Sequence, residues 1–167
     1  MRIFGIDPGL AILGWGVIDA VNGAFSCVDY GTIVTTPDMP LPERLLDIHE
    51  GLKHLFAEYQ PEAIVFEELF FNRNVTTAFT VGAARGCALC AAASYAAAKR
   101  MLYEYTPLQV KQAITGFGRS DKDQVQYMVR ILLRLTEIPK PDDAADALAV
   151  AITHANCAGQ QEQFLIS

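Results

Sequence analysis

Four carboxylates stand at positions where an acid is costly. Asp7 follows Ile3-Phe4-Gly5-Ile6, an apolar run that reads as a short buried strand and is closed by Pro8-Gly9. Glu67 ends a second such run, Ala63-Ile64-Val65-Phe66. Asp143 and Asp146 are three residues apart, so they share one helix face near its N-terminus. That face continues through Ala147 and Val150, an apolar stripe, which turns the acid pair toward a sheet instead of toward water. Each acid also has a bland reading. Asp7 could close an Asx-turn toward Gly9, and the helix macrodipole favours acids in a first turn. Gathered in one place, the four would repel each other or be forced to protonate. Divalent cations resolve that conflict. All-oxygen donors suit Mg²⁺ or Mn²⁺, and two such ions about 4 Å apart can activate a water and stabilise a leaving oxygen in phosphodiester hydrolysis.

Other reactive side chains offer less. Cys87-Ala-Leu-Cys90 has the spacing of a redox or zinc half-site, but no His or second Cys pair lies near it in the sequence. It falls in an alanine-rich stretch, so both are expected to be small core residues. His154 lies eleven residues beyond Asp143, three turns further along the same helix, and is read as a structural residue or one that supports the site's ligands from behind.

The elements that must position these groups follow in order. Strands are expected over 2–6, 14–19 and 24–34, with Asn22-Gly23 as the hairpin turn between the last two. A helix follows over 42–59, then a strand over 63–66. Asn74 is a candidate cap for a long helix over 74–100. A strand at 101–105 leads to Thr106-Pro107, an N-cap with Pro at the first helical position. That helix ends near Gly116, a further helix covers 122–135, and the last runs from Asp142 or Asp143 to about Asn156. Leading hairpins followed by alternating strands and helices give a mixed α/β sheet flanked by helices on both faces. One domain over 1–157 with a polar C-terminal tail over 158–167 is the expected organisation.

The composition narrows the class. A hydrophobic fraction of 51% over 167 residues is ample for a core. No stretch reads as a membrane span, because the Ala/Gly-rich run 81–98 carries Arg85. Four cysteines without a secretory signal point to a reducing cytoplasm. The net charge of −6 hides an asymmetry. Nine bases and three acids lie between Phe70 and Leu135, a surplus of +6, and the rest of the chain carries −12. A basic middle with acidic flanks suits either a polyanion partner or ordinary solvated helix faces.

Together, Gly5-Ile6-Asp7-Pro8-Gly9, Phe66-Glu67, Gln109-Val110-Lys111-Gln112, Lys122 with Gln124-Val125-Gln126, Met128-Val129-Arg130 and Asp143-Ala-Ala-Asp146-Ala-Leu-Ala resemble the RuvC family of Holliday-junction resolvases. The resemblance spans Ile3 to about Ala155. It implies a ribonuclease-H-like fold and a homodimer that cuts two strands of a four-way DNA junction. The implied cofactor is Mg²⁺, two per active site, with Mn²⁺ as a substitute; a branch-migration helicase complex is the implied partner.

Carried over residue by residue, Asp7, Glu67, Asp143 and Asp146 match the family's catalytic, metal-holding carboxylates. Lys111 and Lys122 match lysines that act near the reacting phosphate. Phe70 matches an aromatic placed against bases at the junction centre, a role that Phe71 could share. Arg73 and Arg119, from the basic middle, join Lys111 and Lys122 as expected DNA contacts. Glu68 departs from the residue usual beside the matched glutamate and is a possible substitute ligand. Two other functions remain open: a ribonuclease-H-like nuclease on RNA or RNA–DNA hybrids, and a non-catalytic junction-binding dimer.

Overall fold

In a computed structural model, the chain is described over residues 1–69, 75–96, 101–157, 159 and 161–166, with backbone alone for 75–77. Five strands form one sheet in the order β3-β2-β1-β4-β5. They are β1 (Arg2–Asp7), β2 (Ile12–Val21), β3 (Ala24–Val34), β4 (Ala63–Glu67) and β5 (Leu102–Tyr105). The first three pair antiparallel through hairpins, and β1–β4 and β4–β5 are parallel. The fold class is the expected mixed α/β sheet.

Alternation along β1 decides what each face of the sheet carries. Phe4 and Ile6 point to one face, where they pack with Phe66, Ile48, Leu52, Phe56 and the alanines Ala84, Ala88, Ala91 and Ala92. Those partners come from α1 (Leu41–Tyr59), β4 and α2 (Val75–Ala96). Ile3, Gly5 and Asp7 point to the other face, covered by α3 (Pro107–Thr115), α4 (Lys122–Leu132) and α5 (Asp142–Asn156).

Helix starts follow their local chemistry. Thr106 and Asp121 each close a capping box, accepting from the backbone of Gln109 and Gln124 while those glutamines accept from the cap's own N–H. The anticipated helix over 74–100 is seen as Val75–Ala96; its ends at 74 and 97–100 lie outside the described residues. The helix expected over 122–135 stops at Leu132, and Arg134 adopts a left-handed backbone conformation, with φ 55°. The segment read as a polar tail carries a 3-10 turn, Gln161–Phe164, whose Phe164 ring lies 4.4 Å from that of Tyr105. Leu165 bridges to Tyr103 and Ile166 donates to the Leu102 carbonyl, so this segment lies along the free side of β5.

The α5 helix sits unusually close to the sheet. A Cβ on Gly5 would lie 2.0 Å from the Ala147 carbonyl oxygen, and one on Gly14 2.0 Å from that of Asp143. Gly5 pairs with Gly16, and Asp7 pairs with Gly14. These glycines form a trench into which the alanine face of α5 sinks.

Candidate active site

Parallel pairing brings two acids to one end of the sheet. Asp7 ends β1, Glu67 ends β4, and the strands align Ile6 with Phe66 just before them. Crevices beyond the carboxyl ends of parallel strands are the usual place for a site in such sheets. The Gly14 contact with the Asp143 carbonyl sets the first turn of α5 over the Asp7–Gly14 pair. Asp146 follows one turn later, so three elements converge as the sequence anticipates.

Their electrostatics show the proximity. Burial pushes the Asp7 carboxyl up to about 7, reinforced by the charges of Asp146 and Asp143. Burial likewise lifts Glu67 to about 8, with Asp7 and Asp146 adding to it and Lys122 and Lys111 opposing. Asp146 is raised mainly by burial, against a hydrogen bond from Lys122. The Lys122 Nζ lies 2.9 Å from Asp146 and 3.7 Å from Asp142, and Lys140 Nζ donates to Asp142 at 2.6 Å. Burial pulls the Lys122 ammonium down, but the hydrogen bond and charge of Asp146 outweigh it and hold it above the ordinary lysine range. A cavity of about 210 Å³ separates the groups, lined by Glu67, Val110, Lys111, Lys122, Val125 and Asp146.

Among the described residues no three acid, His or Cys side chains already meet as a metal-ligating group. The carboxylates repel one another and are desolvated, conditions that a divalent ion would relieve. The donor set fits one: every acid offers hard oxygen, Asp7 and Glu67 are desolvated, and their mutual repulsion is the penalty that a cation removes.

Sequence-matched residues divide clearly. Glu67, Asp146, Lys111 and Lys122 line one cavity, and Asp7 and Asp143 lie within electrostatic reach of these acids. Arg119 is exposed on the loop between α3 and α4. Phe70, Phe71 and Arg73 lie outside the described residues. The Glu68 backbone donates to the Tyr105 carbonyl and its side chain is exposed. His154 is buried, with its Nδ1 3.0 Å from the Tyr105 hydroxyl and its ring 4.3 Å from that of Tyr103, in keeping with a structural role.

The cysteine reading needs one correction. Cys87 is half-buried and its Sγ lies 3.0 Å from the Leu45 carbonyl, but Cys90 is exposed on the outer side of α2. Three residues apart on a helix, the two point in directions about 60° off each other, enough to take one out of the core. Sequence reasoning missed the Asp142 bridge to Lys122 and the glycine trench. The signal for the trench was present as glycines two apart, Gly14 and Gly16, on one side of a strand.

A ribonuclease-H-like sheet with these acids at its carboxyl edge defines the class as a nuclease of that fold. The family model "Crossover junction endodeoxyribonuclease RuvC" matches residues 3–154, and the chain belongs to that family. A relative from Alkaliphilus oremlandii, named Crossover junction endodeoxyribonuclease RuvC, is 53% identical over 166 residues, covering 99% of each chain. Among solved structures, T. thermophilus RuvC in complex with Holliday junction substrate superposes with a TM-score of 0.87 at 37% identity, covering 96% of this chain and 98% of that one. The yeast mitochondrial Holliday junction resolvase shares the fold, with a TM-score of 0.70 at 10% identity over 96% of this chain and 80% of that one. Among the described residues no helix is long and apolar enough to cross a membrane.

Proposed function

We propose that this chain resolves four-way DNA junctions by paired, metal-dependent hydrolysis of two phosphodiester bonds. The observation that carries the reading is a small cavity lined by Glu67, Asp146, Lys111 and Lys122, with Asp7 and Asp143 close enough for their charges to act on this acid set. Asp7, Glu67, Asp143 and Asp146 would hold two Mg²⁺ ions, with Mn²⁺ able to replace them. The ions would supply charge neutralisation, an activated water and stabilisation of the leaving oxygen.

The chain's own groups do the rest. Asp7 and Glu67, fixed at strand ends, orient the scissile phosphate against a rigid edge. Lys122 moves from Asp146 toward the phosphate oxygens, where an ammonium stabilises charge that builds in the transition state. Lys111 faces the same space and adds a second cation. Arg119, with Phe70, Phe71 and Arg73 from the segment before α2, supplies the wider DNA contact. A base opened at the crossover would stack on Phe70, a contact worth about 1–3 kcal/mol.

Paired incision needs two such sites, so the working unit is a homodimer. The outer side of α2 suits it: added Cβ atoms on Gly82 and Gly86 meet nothing, and Phe79 is 76% exposed. Cytoplasmic action beside a branch-migration helicase complex is part of the same reading, as is a single nuclease domain over residues 1–157.

The decisive experiment offers four-way junction, RNA–DNA hybrid and linear duplex to the protein with Mg²⁺. Symmetric cuts in the junction alone are expected. Preferential cutting of the hybrid favours the ribonuclease reading, and binding without cutting favours a scaffold.

A further inference from the structure

The loop between α3 and α4 joins the two lysines of the site. Lys111 lies at the middle of α3, and Lys122 opens α4. Between them runs Gly116-Phe117-Gly118-Arg119-Ser120, a composition that would leave an unsupported loop free to move. It is instead tied at both ends by two hydroxyls.

Thr115 Oγ1 lies 2.8 Å from the Lys111 carbonyl, 3.0 Å from the Phe117 carbonyl and 2.6 Å from Ser120 Oγ. It also accepts from the Phe117 backbone N–H at 3.1 Å. Ser120 Oγ lies 2.7 Å from the Phe117 carbonyl, and Ser120 is only 3% exposed. Each hydroxyl has one proton to give. Two arrangements fit: Thr115 donates to the Lys111 carbonyl while Ser120 donates to Thr115, or Thr115 donates to Ser120 while Ser120 donates to the Phe117 carbonyl; the Phe117 N–H donates to Thr115 in both. Gly116, with φ 76°, makes the reversal possible, and the Gln112 side chain donates to its carbonyl at 2.8 Å. The outcome is a half-buried polar link from the backbone of Lys111 to Ser120, the residue two before Lys122. Phe117, 60% exposed, and Arg119 project outward from it.

We propose that the Thr115–Ser120 hydroxyl pair is a positioning device that sets the separation of Lys111 and Lys122 across the acid cluster. The inference rests on the nuclease reading above and deepens it. Neither hydroxyl touches the substrate; both act through the two lysines. Loss of either releases the loop as a unit, so the lysines keep their charge and lose their register with the carboxylates.

The test compares Thr115→Val, Ser120→Ala, their double variant and Thr115→Ser in the full chain. Single-turnover junction cleavage with Mg²⁺, metal-free junction affinity, melting, and metal-free amide exchange at Phe117 and Ser120 are measured. Thr115→Val and Ser120→Ala should each slow cleavage about tenfold, as small misplacements of catalytic groups do. The double variant should lose no more than either single change, because the two act as one unit. Affinity should stay within about threefold, since phosphate contacts depend on charge more than on register. Both amides should exchange faster, and Thr115→Ser should restore cleavage and protection together. Wild-type cleavage in variants that melt lower would show the pair to be merely structural and overturn the proposal. So would losses that multiply, failure of Thr115→Ser to rescue, or unchanged exchange. A wild-type protein that leaves junctions uncut while exchange responds as expected would instead overturn the junction-nuclease reading.

Discussion

Asp7 meets opposite demands in the metal-free site and in the proposed metal-bound one. Without a cation its carboxyl is desolvated and faces Asp143 and Asp146. Asp7→Asn removes that repulsion at nearly constant shape. It should raise the metal-free melting temperature, abolish cleavage and leave junction affinity within a few-fold. Saturating Mg²⁺ should stabilise the wild-type protein, by about 2.7 kcal/mol at a hundredfold excess over Kd, and should stabilise Asp7→Asn much less. Differential scanning with and without Mg²⁺ checks both; equal Mg²⁺ shifts would remove Asp7 from the ligand set. His154 gives a separate pH effect. Burial lowers its pKa from 6.5 to about 4, so below pH 6.5 the unfolded chain takes a proton that the folded chain refuses. Stability is therefore lost as pH falls from about 6.5 toward 4, by about 2 kcal/mol at pH 5. His154→Gln should melt with a flatter acid dependence than the wild-type chain, and parallel curves would refute this. At this scale the acids were legible because a carboxylate at the end of an apolar strand is a local pattern. The Lys122 bridges to Asp142 and Asp146 were not, because they join residues that only packing brings together.

Among the elements, α5 decides whether a site exists. Its depth against the sheet depends on Gly5, Gly14 and Gly16, which leave room for the Ala147 and Asp143 carbonyls and the Leu148 side chain. Gly14→Ala forces a methyl into the Asp143 backbone and must lift the helix start that carries that acid. A melting loss corresponding to roughly 1–3 kcal/mol is expected for such overpacking, with cleavage reduced at least tenfold even at temperatures where the protein is folded. Gly23→Ala is the control. Its φ of 77° makes any side chain costly, but nothing lies near its Cβ, so it should lower melting and leave cleavage unchanged. Cleavage that falls equally in both variants would show that Gly14 acts only through stability. Strands and capped helices were legible here through alternation, Asn22-Gly23 and Thr106-Pro107. How closely α5 approaches the sheet was not, because it depends on which residues of two distant segments face each other. The placement of Gln161–Phe164 along β5 escaped for the same reason.

For the whole molecule the question is how two cuts are coupled. One acid cluster serves one strand, so a monomer would nick a junction without resolving it. The sides of α2 divide cleanly: Ala84, Ala88, Ala91 and Ala92 are buried in the core shared with α1 and the sheet, and Phe79, Gly82, Gly86 and Cys90 lie outward. The outward residues follow helical spacing and include two glycines that would let a second helix approach closely. Arg85, between those sides, pairs with Glu104 on β5 and so anchors α2 to the sheet of its own chain. Gly86→Glu places a charge where the second helix would pack, 20 residues in sequence beyond Phe66 and on the side of α2 away from the acids. It should halve the mass seen by light scattering while the metal-free monomer keeps its fold by circular dichroism. On a four-way junction with Mg²⁺ the variant should give single nicks in place of paired incisions, with the first cut slowed less than the second. Paired incision by a protein that light scattering shows to be monomeric would overturn the dimer, and an unchanged mass would move the interface away from this side of α2.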